Sequence, residues 1–162
     1  MEKEKIVYRD LITSDIETIC KFPQNAQELF FMCPKADYPL TKEQLEYILK
    51  DRFDSTVFLS GNEIIGFANF YEVKRSEYCS IGNVIVNPDF RSRGVGTSLI
   101  EIMENIGRQK YNIQETHLSC FNTNTLGLLL YNKLGYLPYG IEKRTNKRNE
   151  ISALIKLKKR VI

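Results

Sequence analysis

Ile81-Gly82-Asn83-Val84-Ile85-Val86 is an apolar run typical of a β-strand, and Asn87-Pro88-Asp89 closes it. A glycine-rich turn follows, Arg91-Ser92-Arg93-Gly94-Val95-Gly96, and an amphipathic helix then begins near Thr97. Glycines let the backbone come close to a ligand, and the unpaired N–H groups of a first helical turn attract anions. The two arginines add full positive charges. The stretch therefore predicts a strand, turn and helix with an anion site at the turn, and its expected guest is a diphosphate carried on a larger cofactor.

The turn differs from two common phosphate-binding loops. No Gly-Lys-Ser/Thr sequence follows it, so it is not a Walker A loop. Gly94-x-Gly96 also lacks the third glycine of a dinucleotide-binding fingerprint. Taken alone, the Gly-x-Gly motif is more typical of a structural connection that uses glycine for turn geometry and arginine for solubility.

Length and composition predict one globular domain with a cytoplasmic location. The chain has 162 residues, of which 43% are hydrophobic and 27% charged, and its formal net charge of +3 is too small to indicate nucleic-acid binding. No apolar run approaches membrane-spanning length, and residues 1–5 lack the apolar region of a signal peptide. Scattered cysteines and a single histidine argue against a metal site, and the thiols are expected to be reduced. These residues are Cys20, Cys33, Cys79, Cys120 and His117.

The hydrophobic pattern predicts a mixed α/β domain, with antiparallel strands first and two crossing helices later. Strands are expected at residues 6–9, 56–60, 63–71, 81–86, 116–121, 136–139 and 151–157. Capping boxes at Ser14–Glu17 and Thr41–Gln44 predict two helix starts, with a short helix near residues 27–34 between them. A later helix carries Val95, Leu99, Met103 and Ile106 on one face, and the last one, capped by Asn122 or Thr123, stops at Gly135. The basic run 156–160 is predicted to be a solvated strand end.

A second constellation follows the glycine motif after one predicted strand. It reads Asn124-x-x-Gly127-x-x-Leu130-Tyr131-x-Lys133-x-Gly135-Tyr136. Helical spacing places Asn124, Gly127 and Tyr131 near one face, because residues three and four apart are neighbours on a helix.

Together the two motifs resemble the GNAT acetyltransferase superfamily. The pattern R-x-x-G-x-G after a strand ending in N-P-D is similar to its acetyl-CoA motif, and the second run is similar to N-x-x-A-x-x-L-Y-x-x-x-G-F. Gly127 stands where the family usually has alanine, and Tyr136 where it usually has phenylalanine. The resemblance implies one GNAT-like domain over residues 1–162, with a mixed, mostly antiparallel sheet of six to seven strands flanked by about four helices.

The resemblance also implies roles for individual residues. Backbone groups of Val84, Ile85 and Val86 would bind the pantetheine arm of acetyl-CoA. Asn124 would touch the pantetheine or the thioester, and Tyr131 would lie beside the thioester sulfur as the catalytic proton donor. The diphosphate would be wrapped by the turn, which consists of Arg91, Ser92, Arg93, Gly94, Val95, Gly96 and Thr97.

The implied activity is transfer of an acetyl group from acetyl-CoA to a primary amine by direct attack in a ternary complex, with no metal. The acceptor is a small-molecule or peptide amine, for example a polyamine, an amino acid, an aminoglycoside, or a protein N-terminus or lysine. Nucleic acid and membranes are not expected partners. The resemblance implies that dimers form through sheet edges or late strands, and the segment Ile151–Leu157 is a candidate for such a homodimer contact. Two alternatives stay open: a non-catalytic acyl-CoA sensor, and a nucleotide-binding domain that would prefer ATP.

The general base and the acceptor pocket are open at this point. Glu77, Glu28 and Asp37 are candidate bases, and Asn83 is a candidate to hold a water instead. The segments 28–32 and 37–38 carry aromatic and acidic side chains that would suit a pocket for a cationic amine, or would be core residues beneath a loop.

Overall fold

A seven-stranded sheet forms the centre of the fold, and five α-helices pack on its two faces in the part of the chain that the structure describes. The computed structural model describes residues 5–162, so residues 1–4, on which the signal-peptide expectation partly rests, lie outside it. The strands are β1 (Val7–Asp10), β2 (Phe53–Ser60), β3 (Glu63–Lys74), β4 (Tyr78–Val86), β5 (Glu115–Phe121), β6 (Leu137–Thr145) and β7 (Ile151–Arg160). The helices are α1 (Ile16–Cys20), α2 (Ala26–Met32), α3 (Lys42–Leu49), α4 (Val95–Tyr111) and α5 (Thr125–Lys133).

The sheet order is β1-β2-β3-β4-β5-β7-β6, and within residues 5–162 only the β4–β5 pair runs parallel. This confirms the predicted mixed, mostly antiparallel sheet. The β2–β3 hairpin is also confirmed, with Ser60 opposite Glu63 and Gly61 at φ +60° in the turn between them. Because β7 lies between β5 and β6, both its edges are paired, and Ile151–Leu157 offers no free sheet edge to a second chain. The free edge on that side belongs to β6.

Two hydrophobic cores lie on opposite faces of the sheet. On one face α4 buries Val95, Leu99 and Met103 against the central strands, as its amphipathic pattern predicts. On the other face α1, α2 and α3 contribute the second core, which includes Leu29 and Leu45. Fully burying a side chain such as Leu99 contributes about 2 kcal/mol, so these stripes dominate the attachment of the helices to the sheet.

Helix capping departs from the sequence at two places. The Ser14 capping box is wrong, because the Asp15 carboxylate instead accepts hydrogen bonds from the Arg9 guanidinium and the Ile12 N–H. Thr41 does cap α3, since its Oγ1 accepts from Gln44 N at 3.3 Å.

The last helix begins later than predicted. Asn122 does not cap α5, because it pairs with Ala153 of β7 through both its backbone N–H and its side-chain oxygen. Thr123 is exposed, and the cap is Asn124, whose Oδ1 accepts from Gly127 N at 3.0 Å. Gly135, at φ +94°, ends the helix as predicted.

Three further observations bear on the sequence predictions. No helix among residues 5–162 combines the length and apolarity needed to cross a membrane. All four cysteines are unpaired. The basic run 156–160 is part of β7, and Lys159 is not a solvated end, since its ammonium group pairs with the buried Glu104.

Candidate active site

The β4 and β5 strands separate in the middle of the sheet. Their ladder runs from the Tyr78–Glu115 pair to the Ile81–Leu118 pair and ends there. Both strands continue, β4 to Val86 and β5 to Phe121, so a wedge-shaped gap opens between residues 82–86 and 119–121. The predicted pantetheine residues, Val84, Ile85 and Val86, all lie on the β4 side of this gap. Their backbone edge toward β5 is therefore outside the sheet ladder.

A β-bulge in β4 coincides with the start of the gap. Asn69 pairs with Gly82 and Phe67 with Ile85, so β4 contains one more residue than β3 between these two pairs. Asn83 absorbs the extra residue with φ +50°, a conformation that asparagine tolerates better than most residues. A bulge bends its strand and increases the local twist, which turns β4 away from β5.

Polar contacts of the Asn83 side chain lock the bulge to both neighbouring layers. Its Oδ1 accepts from Asn69 Nδ2 at 2.9 Å and from Arg52 Nε at 3.0 Å. Its Nδ2 donates to the Met32 carbonyl oxygen at 2.8 Å and to Cys33 Sγ at 3.2 Å. These four contacts use all the hydrogen-bonding capacity of an amide, so the expectation that Asn83 holds a water is wrong.

The N-terminus of α4 follows β4 after the connection formed by residues 87–94, and it is open. Its N-cap residue is Gly94, at φ +79°, which provides no side-chain cap for the first turn. A Cβ built on Gly94 would meet nothing within 4 Å. Free N–H groups, the positive end of a 17-residue helix and open space in front of it suit a bound anion.

The remaining residues of the turn differ in what they can offer. Arg91 Nη2 lies 2.6 Å from Glu28 Oε1 of α2, and its Nε donates to the Val86 carbonyl oxygen at 3.3 Å. Arg91 thus connects the turn to α2. Arg93 is exposed, with its guanidinium 5.2 Å from the centre of the Phe90 ring. Of the other predicted residues, Ser92 is exposed at φ +63°, Val95 is buried in the core, and Gly96 and Thr97 are half-buried.

Asn124 sits at the start of α5 and is engaged as its cap, with Gly127 N as the donor. A Cβ built on Gly127 would lie 2.7 Å from Asn124 Nδ2. The glycine therefore leaves room for the asparagine amide, which accounts physically for Gly127 at a position where alanine was expected.

Tyr131 lies at the other end of α5 with its ring buried. It makes an edge-to-face contact with Tyr136, with ring centroids 6.1 Å apart, and it neighbours Cys120 in the part of β5 that borders the gap. Within residues 5–162 its hydroxyl has no hydrogen-bond partner. Burial raises the pKa of Tyr131, so the phenol keeps its proton and is a hydrogen-bond donor at neutral pH.

The three candidate carboxylate bases are all in ion pairs. Glu77 is exposed, binds Lys74 at 2.7 Å and precedes β4 at the end away from the gap. Glu77 lies four positions before Ile81, which corresponds to about 13 Å of extended chain. Glu28 contacts Arg91, as described above, and Asp37 pairs with Lys147 of the β6–β7 turn.

A cleft of about 490 Å³ lies between α2 and the β6–β7 turn, beside the end of β5. Four of its lining residues come from the predicted pocket segments, namely Phe30, Phe31, Asp37 and Tyr38. Leu29 and Met32 of the same segment are instead core residues, with 1% and 3% of their surface exposed. The segment is thus divided between the lining of a cleft and the core, and binding of an amine in this cleft stays a prediction.

Two features of the site were missed in the sequence. The bulge had a signal, because a Gly-Asn pair inside an apolar strand is typical of a bulge. The Arg91–Glu28 ion pair had none, since the two residues are 63 positions apart and meet only through packing of α2 on the sheet.

Comparison with known structures shows the same fold in N-acetyltransferases. The spermidine N-acetyltransferase from Vibrio cholerae, solved with CoA and spermine, superposes with a TM-score of 0.81 at 14% identity, covering 98% of this chain and 96% of the other. The ribosomal-protein-S18-alanine N-acetyltransferase from Escherichia coli gives 0.74 at 17% identity, over 97% and 94% of the two chains. An acetyltransferase of the GNAT family from Streptococcus pneumoniae gives 0.73 at 16%, over 98% and 100%. No curated protein sequence matches significantly.

The family itself is established by sequence. A family model described as Acetyltransferase (GNAT) family matches residues 21–136, which contain both sequence motifs, the gap and the open end of α4. The chain is therefore an acyltransferase that belongs to the GNAT acetyltransferase family.

Proposed function

We propose that this protein transfers the acetyl group of acetyl-CoA to a primary amine, by direct attack in a ternary complex. One observation carries the proposal: the gap between β4 and β5 lies beside the uncapped N-terminus of α4, since a Cβ built on Gly96 would lie 4.0 Å from Val86 Cγ2 at the end of β4. An extended arm that ends in a diphosphate needs these two features in this order.

The described residues fit acetyl-CoA as the cosubstrate. The free backbone edge of Val84, Ile85 and Val86 would pair with the amide groups of pantetheine, as an added strand does. The first turn of α4 and its glycine would hold the diphosphate, with Arg93 supplying a positive charge. Arg91 contributes through its backbone, because its side chain is engaged by Glu28 and Val86.

Tyr131 is the group that we propose as proton donor. In the reaction the amine nitrogen attacks the thioester carbonyl carbon, the C–S bond breaks, and the sulfur leaves as a thiolate that needs a proton. A protonated phenol without a protein partner can supply it from the α5 side of the gap. Backbone N–H groups on the free edge of β4 would stabilise the negative charge that develops on the carbonyl oxygen.

The proton of the amine leaves by another route. Since Glu77, Glu28 and Asp37 are all paired, we propose that water molecules in the cleft carry this proton to solvent. We also propose a cytoplasmic location, because four unpaired cysteines suit a reducing compartment.

The cleft beside the end of β5 is our proposed acceptor site. Its lining carries both signs of charge, Asp37 and Glu150 against Lys147 and Arg148, together with the rings of Phe30, Phe31 and Tyr38. Two of the structural relatives are named for very different acceptors, spermidine and an alanine of ribosomal protein S18. The acceptor test therefore uses a panel of spermine, a peptide with N-terminal alanine, an amino acid and an aminoglycoside.

Calorimetric titration with acetyl-CoA and with ATP, followed by a thiol-release assay with the panel, tests the proposal. We expect acetyl-CoA to bind at micromolar concentrations, ATP to bind more weakly, and at least one amine to release CoA thiol. Tight binding of acetyl-CoA without turnover on any amine would favour the acyl-CoA sensor. Preference for ATP would favour a nucleotide-binding domain and overturn the proposal.

A further inference from the structure

An ionic network around the buried Glu104 carboxylate lies behind α5 and has no part in the reaction described above. The Glu104 carboxylate on α4 accepts a hydrogen bond from the Tyr136 hydroxyl at 2.8 Å. The ammonium group of Lys159 on β7 reaches the same carboxylate, at 3.1 Å to Oε1 and 3.2 Å to Oε2. Tyr136 is completely buried and Glu104 is 7% exposed.

Stability alone does not account for this network. Taking a carboxylate and an ammonium group out of water costs free energy that their mutual attraction often fails to offset. Apolar side chains of similar volume frequently stabilise such a site equally well. What a hydrogen-bonded pair adds is a defined geometry, here a fixed position for the hydroxyl end of the Tyr136 ring.

The ring that this geometry fixes is the one that packs on Tyr131. The two rings meet edge to face with centroids 6.1 Å apart, and Tyr136 N donates to the Tyr131 carbonyl oxygen at 3.0 Å. Tyr131 Oη has no partner of its own within residues 5–162. The orientation of its hydroxyl therefore depends on how the ring is packed. Tyr136, itself held by its hydrogen bond to Glu104, forms one side of that packing.

We propose that Glu104 and Lys159 anchor Tyr136 so that Tyr136 holds the Tyr131 ring with its hydroxyl directed at the acetyl-transfer gap. Tyr136, Glu104 and Lys159 are then positioning residues that act through Tyr131. The inference rests on the proposed role of Tyr131. It requires the Glu104 network for turnover but not for binding of acetyl-CoA.

The decisive variant is Tyr136→Phe, which keeps the ring and removes the anchor to Glu104. We expect kcat to fall about tenfold, because small displacements of a catalytic group are costly. The KM for acetyl-CoA should stay unchanged. A raised KM for acetyl-CoA with kcat preserved would overturn the inference.

A double-mutant cycle separates positioning from a general loss of stability. If Tyr136 acts through Tyr131, the pair Tyr131→Phe with Tyr136→Phe has the same kcat as Tyr131→Phe alone. Independent, multiplying losses would contradict the proposal. Glu104→Gln should retain more activity than Glu104→Leu, because the glutamine amide oxygen can still accept from Tyr136.

The matched control is the Arg9–Asp15 pair, which lies at the opposite edge of the sheet. Its carboxylate is buried to a similar degree, with Asp15 5% exposed and bound to Arg9 at 2.7 and 3.0 Å. Asp15→Asn should lower the melting temperature like Tyr136→Phe but leave kcat unchanged. If both variants lose kcat equally when assayed below their melting points, the Glu104 network is merely structural.

Failure of the inference can be distinguished from failure of the proposed function. A wild-type protein that releases no CoA thiol with any amine in the panel contradicts the proposed function and removes the basis for the inference. A wild-type protein that is active, sensitive to Tyr131→Phe and indifferent to Tyr136→Phe contradicts the inference alone.

Discussion

The two helices beside the gap begin in opposite ways. α4 starts at Gly94, which offers no side chain to the free N–H groups of the first turn. α5 starts at Asn124, whose side chain satisfies the N–H of Gly127 at 3.0 Å. The same helix, α5, then carries Tyr131 at its far end, with the ring packed against Tyr136.

This difference follows from what each helix contributes to the proposed reaction. An N-terminus that receives an anion must keep its N–H groups free, so it gives up the ~1 kcal/mol that a side-chain cap supplies. A helix that positions a proton donor gains from being capped and rigid. In these two helices, the uncapped N-terminus marks the proposed ligand site, and the capped N-terminus supports the helix that carries the proposed proton donor.

The largest effect is expected from the catalytic end of α5. Tyr131→Phe removes the proposed proton donor and should lower kcat by ~10²–10⁴-fold, the usual contribution of a general acid. The Kd for acetyl-CoA, measured by calorimetry, should not change, because no binding group is lost. Tyr47→Phe on α3, where the side chain is 72% exposed, is the control and should leave both quantities unaltered. An unaltered kcat in Tyr131→Phe would remove the catalytic half of the comparison.

The open end of α4 is tested by placing a negative charge in it. Gly94→Asp should weaken acetyl-CoA binding by about 30–150-fold, since charge-assisted hydrogen bonds worth ~2–3 kcal/mol are lost to repulsion. The matched control is Gly61→Asp in the β2–β3 turn. Gly61 also has positive φ, +60° against +79° for Gly94, and a Cβ there also meets nothing within 4 Å. Equal loss of affinity in both variants would mean that backbone strain, not the anion site, explains the result.

The capped end of α5 should show a smaller effect. Asn124→Ala leaves the Gly127 N–H without its cap and should reduce the free energy of unfolding by ~1 kcal/mol. For a domain of this size we expect the melting temperature to fall by about 2–4 °C in calorimetry. Thr41→Ala removes the corresponding cap of α3, away from the gap, and should cost a similar amount. If only Asn124→Ala also lowers kcat, the α5 cap serves catalysis as well as stability, which would sharpen the comparison.

The smallest expected effect is that of alkaline pH on Tyr131. Burial raises its pKa above the ordinary phenol value near 10, so the proton donor stays protonated through pH 10. The kcat should therefore show no decline between about pH 8 and pH 10 that depends on Tyr131. Stopped assays across this range, with Tyr131→Phe as reference, provide the measurement. A decline in kcat of the wild type that is absent from the variant would mean that the pKa of Tyr131 is not raised.

Much of the fold could be predicted because local sequence patterns indicate its strands and helices. Alternating residues in β2 and β3 and the apolar stripe of α4 need no information from elsewhere in the chain. Helix starts were less predictable, since several residue types can cap. Asn122 looked like the cap of α5 but pairs with Ala153 across 31 positions, which no local pattern reveals.

The site divides in the same way. The glycine turn and the run from Asn124 to Tyr136 were visible in the sequence, because a turn geometry and a helical spacing are short-range properties. The surroundings of the candidate bases were not visible in it, because Arg91 and Lys147 pair with Glu28 and Asp37 from distant parts of the chain.

The sequence by itself determined the order of strands and helices, the glycine at the start of α4 and the tyrosine at the end of α5. These features depend on backbone conformation and amphipathic spacing, which are properties of residues close together in the chain. Only the tertiary structure decided that β4 and β5 separate after Ile81, that Arg91 binds Glu28, and that Glu104 and Lys159 anchor Tyr136 behind Tyr131. Each of these joins residues that are dozens of positions apart, and such contacts exist only once two cores have packed against one sheet.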